Sequence, residues 1–565
     1  MKLQEIIREH GKGSLIAVFA ATLLAAGTDA STVFTADFRE GLPGWTVHNG
    51  GTTSSVEKFR GENALVIRRE ANSKKKGTEW SVVGEEFPVT PGSRLSVIVR
   101  ARSTFKDLRF CHGFLTKFLT GVYWYDGEGR RLPQPYGFGY DIDPDGWCYT
   151  VAATLVPDGA ATARLSLGMD SPNFSTNDWF AVSQARVEMS ASNEAGCVAT
   201  LRDDGAVLVD GKPFFPIGIY AVSECERNGD SIDKAFRDLK AAGFNMVHRP
   251  SRAKATNEEF LSLADKYGLK VFHMPVPSYS SDFVAESLVA KQKHHPSVLA
   301  WYLADDTASH VGPEVVAYRD RVCKAFDPAR LTLQADGVMV GGANCRYDRY
   351  VYSTDVFLPE IYPVYSVKPH GGEVAEVVRD MDATHAAIAA AGSPVKSIWP
   401  IIQHFDGWGW KRFPTFAELR AMSWAAIIGG GNGIVWYVYN SKSGKGRGVV
   451  CSDEHWKEMT TVSSEIASFT DDLLSRTAAE QPKVKIVSGP AKDYYGQPPL
   501  KVLLKTGDKP LLATANATTN TIKAVVRVKG FSRAEALGRG VALDAAKGIA
   551  DEWEPYGVRF YRLSK

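Results

Sequence analysis

The sequence predicts a multidomain fold: a β-sandwich, then a (β/α)8 TIM barrel, then a small C-terminal β-sandwich. Three observations predict it. Eight short apolar segments alternate with amphipathic stretches across the middle of the chain, in about 260 residues, the size of such a barrel. On either side the pattern changes to short alternating runs broken by Gly, Pro, Asn and Asp, which read as antiparallel strands and turns. The chain has 565 residues, more than one ordinary core accommodates.

Residues 1–30 read as a signal peptide. Lys2, Arg8 and Lys12 precede an apolar stretch, Leu15 to Ala26, which is short for a bilayer span, and small residues offer cleavage after Gly27 or Ala30. Export to the periplasm or the medium is the expectation, with no membrane span after signal removal. Export permits disulfides, and among seven widely spaced cysteines Cys111 and Cys148 are the expected pair.

Residues 31–192 form the first expected sandwich, with runs such as Leu95–Ala101 and Ala161–Leu167 and no long helical period. Residues 193–478 form the barrel. A hairpin with an Asp210-Gly211 turn leads into it. The expected strands are Ile217–Ala221, Met246–Arg249, Lys270–Met274, Val298–Ala304, Leu331–Ala335, Asp355–Ile361, Ser397–His404 and Gly433–Tyr439. Helices are expected between them, among them Ile232–Ala242, Asn257–Tyr267 and Thr415–Ile428. An open, doubly wound sheet is disfavoured because no glycine fingerprint follows the first strand. Residues 479–565 return to alternating strands such as Leu500–Leu504 and Val526–Val528.

The formal net charge is +2 and the charged fraction 23%, so nothing marks a dedicated nucleic-acid binder, which needs a basic stripe. No His-x-His, HExxH or CxxC spacing suggests a catalytic metal or cofactor site. Nothing in the pattern sets an oligomeric state.

The chemistry concentrates at strand ends. His294-His295-Pro296-Ser297 leads into an apolar strand that closes on Asp305-Asp306, and barrel active sites are built at that end of the strands. With Phe244–Arg249 on strand two and the Val209–Pro213 hairpin, this run resembles the large clan A of barrel glycoside hydrolases. In the first sandwich, Asp37-Phe38, Gly44-Trp45 and Asp178–Val187 resemble the first and last strands of jelly-roll carbohydrate-binding modules. The implied activity is hydrolysis of O-glycosidic bonds in an extracellular or periplasmic oligo- or polysaccharide, without cofactor. Such chemistry needs two carboxyl groups flanking the scissile bond. The resemblance places the acid/base at Asp306, with Asp305 beside it as a binding residue; capping of the following segment is the other reading of this pair. The family's strand-seven nucleophile position holds Gln403, which cannot attack. Glu360, at the end of strand six, is the expected second catalytic carboxylate, ahead of Asp406 in a glycine-rich loop, although a group that only orients hydroxyls is equally compatible. His248, Tyr362, Gln403, His404, Trp408, Trp436 and Tyr439 are the remaining expected sugar contacts. In the sandwich, Trp80, Trp124 and Trp147 are candidate stacking platforms, although a core position is the favoured reading of each, since large aromatics dominate the cores of small sandwiches. The absent strand-seven carboxylate leaves open a second class, a non-catalytic glycan-binding protein with a degenerate barrel.

Overall fold

A computed structural model of the chain describes residues 31–48, 51–69, 82–104, 118–132, 136–138, 146–170, 176–190, 196–222, 231–249, 255–274, 289, 292–306, 312–340, 344–440 and 446–565. It divides into two compact units. One holds the described residues up to Ala195 together with Gly312–Ala329; the other holds Gly196–Val311 and Arg330–Lys565.

In the first unit two antiparallel sheets enclose one core. One sheet contains Ser31–Ala36, Thr52–Phe59, Glu62–Arg69, Arg94–Ser103, Cys148–Leu155 and Trp179–Ser190. The other contains Thr46–Val47, Val82–Pro88, Phe118–Tyr125, Tyr136–Phe138 and Thr162–Asp170. Period-two alternation sends Leu65, Ile67, Val97, Val99, Leu165, Phe180 and Val187 into that core. Trp124 lies there too, 3% exposed, in the core position favoured for it, so it stabilises the sandwich and offers no platform. Trp147 is half-buried, with the Arg100 and Arg102 guanidinium groups 5.7 and 5.9 Å from its ring. Trp80, Cys111 and the side chain of Cys148 lie outside the described residues.

The second unit opens with the expected hairpin, Val207–Val209 paired with Lys212–Phe214. Asp210 and Gly211 turn it at φ values of 50° and 75°, the left-handed conformation that suits this dipeptide. The barrel follows: β1 (Ile217–Ile219), β2 (Met246–Arg249), β3 (Lys270–His273), β4 (Val298–Ala304), β5 (Leu331–Gly337), β6 (Val356–Ile361), β7 (Ser397–Ile398 and Ile401–Gln403) and β8 (Ile434–Tyr437). Each pairs in parallel with the next, and β8 pairs with β1, so the sheet closes. Met246, Phe272, Ala300, Tyr302, Leu333, Leu358, Ile401 and Val435 fill the interior. Gly218 on β1 makes room for this packing, since a Cβ there would stand 2.7 Å from the Met246 Cε.

The helices obey their end signals. α1 (Ile232–Ala241) is capped by Ser231. α2 (Asn257–Tyr267) starts in a Thr256/Glu259 capping box and stops at left-handed Gly268. α3 (Pro313–Phe326) falls between β4 and β5 in sequence and belongs to the first unit. α4 (Glu373–Ala390), α5 (Phe416–Ile428, capping box Thr415/Glu418) and α6 (Asp453–Ser468) follow.

A three-stranded and a five-stranded antiparallel sheet form the C-terminal sandwich around Trp553, Tyr561, Leu512 and Val526. It packs on the barrel's α4 and α5. Tyr556 donates to the Glu373 carboxylate (2.8 Å), and Phe560 packs on Trp424 with ring centroids 4.5 Å apart.

Candidate active site

The C-terminal ends of β1, β4, β5, β6 and β8 bring phenols and carboxyl groups together. On β4 the side chains of Ala300 and Tyr302 face inward. A register shift against β5 between Tyr302 and Ala304 breaks the alternation, and a bulge of this kind re-aims the side chains that follow it. Tyr302 donates to Asp305 Oδ1 at 2.7 Å, and the Tyr220 hydroxyl, 3.4 Å from the same oxygen, is also hydrogen-bonded to that of Tyr302. Glu360, from β6, is hydrogen-bonded to the Asp305 carboxyl. Asp306 takes a left-handed backbone (φ 49°) and is exposed at the rim. That conformation costs a non-glycine residue of order 1 kcal/mol, least for Asp and Asn.

Electrostatics separates the two bonded carboxyls. Burial, then the charges of Asp305, Asp306 and Asp336, push Glu360 well above the usual carboxylate range. Burial also raises Asp305, but the bonds from Tyr302 and Glu360 hold it to about 6. Two acids in contact cannot both ionise cheaply. The pair therefore holds one proton near neutral pH, on Glu360, which donates it to Asp305.

An aromatic wall surrounds this pair. Tyr437 lies with its ring centroid 5.3 Å from Tyr220, 5.8 Å from Tyr362 and 5.9 Å from Trp408. Phe405 and Trp410 pack against Tyr362. Trp408 is exposed, and Tyr365 beyond it is more so. His248 stacks on Phe272 and abuts Tyr220. Its Nδ1 accepts from the Ala221 N–H, and burial holds the ring neutral, well below its usual range. The proton thus sits on Nε2, which has no protein partner.

The structure brings Asp305, Asp306, Glu360, Tyr362, His248 and Trp408 to one end of the barrel. It removes four others. Gln403 is fully buried, and its amide is consumed in holding the loop after β6: Oε1 accepts from Val364 N, while Nε2 donates to the carbonyls of Val364 and Phe405. Trp436 points outward, its Nε1 donating to Ser423 on α5 and its ring against Phe244. His404 points outward toward His455 and Phe413, and Tyr439 toward Trp456. Asp406 is engaged by the Arg447 guanidinium. Sequence reasoning missed Tyr220, Tyr302 and Asp336. The signal for Asp336 was present, a carboxylate one residue beyond the expected end of β5.

Fold and site together define a closed (β/α)8-barrel protein, flanked by β-sandwiches, with an acid pair at the C-terminal mouth. No family model matches the chain. A segment is 30% identical over 143 residues to the beta-glucuronidase of Felis catus, and this match covers 22% of each chain. Among solved structures the chain is similar to a glycoside hydrolase family 5 protein from Bacteroides vulgatus (TM-score 0.44, 13% identity, 65% of this chain and 93% of that one). It is also similar to the Bacteroides uniformis beta-glucuronidase (TM-score 0.33, 11% identity, 93% of this chain and 58% of that one).

Proposed function

We propose that the chain hydrolyses O-glycosidic bonds of an extracellular or periplasmic glycan at the C-terminal mouth of its barrel. The observation that carries this reading is the buried, hydrogen-bonded carboxyl pair of Asp305 and Glu360 inside an aromatic wall. Glu360, protonated at neutral pH, gives its proton to the leaving oxygen as the C–O bond breaks. Asp306 is the second carboxyl, attacking the anomeric carbon or taking a proton from an attacking water. The roles expected from sequence are thus exchanged between these two residues. Asp305 and Glu360 are too close to flank a glycosidic bond themselves, so Asp305 tunes and positions its partner. Tyr437, Tyr362 and Trp408 offer faces to the sugar, and His248 Nε2–H a donor for a hydroxyl.

Reducing-sugar release from a glycan panel is the direct test. The Asp306→Asn variant is expected to lose at least about 100-fold in kcat with little change in fold, as removal of a catalytic base does. Full activity in that variant would exclude Asp306 from the chemistry.

Carboxyls and phenols crowd Glu360: Asp305, Asp306 and Asp336, with Tyr220, Tyr302 and Tyr362; Arg346 stands 4.0 Å from Asp336. A sugar carboxylate about 7 Å from an ionised acid there costs about 2 kcal/mol at an effective dielectric of 20. Neutral aryl glycosides are therefore expected to exceed the matching glucuronide in kcat/KM by about thirtyfold, measured by chromophore release. Preference for the glucuronide would overturn this substrate class.

One observation favours a second reading, glycan binding without turnover. β7 offers no carboxylate, and Gln403 is locked into the scaffold. Sugar binding by calorimetry with no product across the panel would establish it.

A further inference from the structure

His404, displaced from the mouth, meets two residues of α6. His455 and Glu458 stand three apart and so share one helix face. His455 Nδ1 lies 3.2 Å from Glu458 Oε2, and His404 Nε2 lies 4.0 Å from the same oxygen. One donor atom from each of the three falls within 4.8 Å of the others. Bonds of about 2.1 Å to a tetrahedral zinc ion set its ligands about 3.4 Å apart, so small side-chain rotations close this triad on a cation. The His404 ring is completely buried, and its Nε2, the atom that faces the triad, stands 3.3 Å from the His455 carbonyl, a contact that a bound cation would replace. Phe413 stacks on His455 at 3.8 Å and stands edge-on to His404 at 5.4 Å, walling the triad on one side.

From this geometry we infer that His404, His455 and Glu458 form a structural divalent-metal site, selective for zinc. Two imidazoles and one carboxylate suit zinc and not calcium or magnesium, which take oxygen ligands. Three protein ligands leave a fourth position for water. The cation joins the end of β7 to the first turns of α6, outside the mouth and behind the loop that carries Trp408. Its charge lies near the positive end of the α6 dipole, and Asp453, Glu454 and Glu458 set three carboxylates there in compensation. The site takes no part in the acid chemistry of Glu360, and its test needs no substrate.

The full chain, dialysed against chelator and then free buffer, is titrated calorimetrically with zinc chloride, and separately with calcium and magnesium chlorides. One equivalent of zinc is expected to bind, with no stoichiometric binding of the other two. His455→Ala and Glu458→Gln are each expected to weaken it at least about tenfold, and the double variant to abolish it. Cobalt chloride is expected to give the strong visible absorption of a four-coordinate ion, lost in the double variant. These α6 residues decide the matter, because His404→Ala opens a buried hole and risks misfolding. Among the described residues an exposed trio, Glu258, His294 and His295, also places its donor atoms together, so His294→Ala serves as the control and is expected to bind zinc unchanged. Absence of stoichiometric zinc binding, binding retained in the His455→Ala/Glu458→Gln double variant, loss in His294→Ala, or tighter binding of calcium would each overturn the site.

Discussion

The Glu360→Gln enzyme folds and is expected to lose about 100- to 10,000-fold in kcat on glycosides with poor leaving groups, the range general acid catalysis supplies. Glutamine keeps an N–H donor for Asp305 and has no proton to transfer, so the loss isolates the acid. Aryl glycosides whose phenolate leaves unaided should retain most of their rate, and this contrast distinguishes an acid from a binding group. The pH profile carries the same information. In the unmodified enzyme, activity rises as Asp305 ionises near pH 6 and falls when Glu360 loses its proton at higher pH. Both limbs belong to the pair. In the variant the alkaline limb should vanish. An unchanged profile, or equal losses on all leaving groups, would sink the assignment of Glu360 as acid.

The largest expected effect on stability is at Arg412. Its Nη2 donates to Glu418 Oε1 at 2.8 Å, and it lies 3.7 Å from Glu373. Both carboxylates are essentially without solvent contact. Burial alone raises Glu373, but the N–H groups of His370 and of Glu373 itself and the Tyr556 hydroxyl outweigh it, and the group ends below its usual range. Arg412→Met leaves two buried anions without their shared cation. The expected cost is about 3–5 kcal/mol, seen as an earlier midpoint in urea, and Arg412→Lys should recover little because one ammonium cannot reproduce the fork. A midpoint within experimental error of the parent would mean that the backbone donors alone suffice.

Much of this molecule was legible in its sequence. The barrel strands were visible as apolar runs of the right length, and α2 was bounded correctly because Thr256, Glu259 and Gly268 are strong local signals. The mouth was less legible, for a specific reason. Which side chain of a strand faces the interior depends on register, and register is a property of pairs of strands. Trp436 and Tyr437 are adjacent and both aromatic; only the pairing of β8 with β1 and β7 sends the first to α5 and the second to the mouth. The shift in β4 likewise turned Asp305 toward Tyr302 and Glu360 and left Asp306 at the rim, an outcome no spacing rule contains. Gln403 was recognised as unable to attack, but its engagement with Val364 depends on a loop distant in sequence.

The shared proton also has a thermodynamic consequence outside catalysis. In the unfolded chain Asp305 and Glu360 lie far apart along the sequence and titrate as ordinary carboxyls, both ionised at pH 7. Folding raises both, and Glu360 the more. The native state thus binds more protons than the unfolded state above pH about 4.3, and the contribution of the pair to stability declines as pH rises from there until Glu360 itself ionises. Closing the barrel at neutral pH draws about one proton from solution. Refolding in two buffers of different ionisation enthalpy should register that uptake as heat. The mouth therefore acts as a small alkaline weakness in an otherwise well-packed barrel.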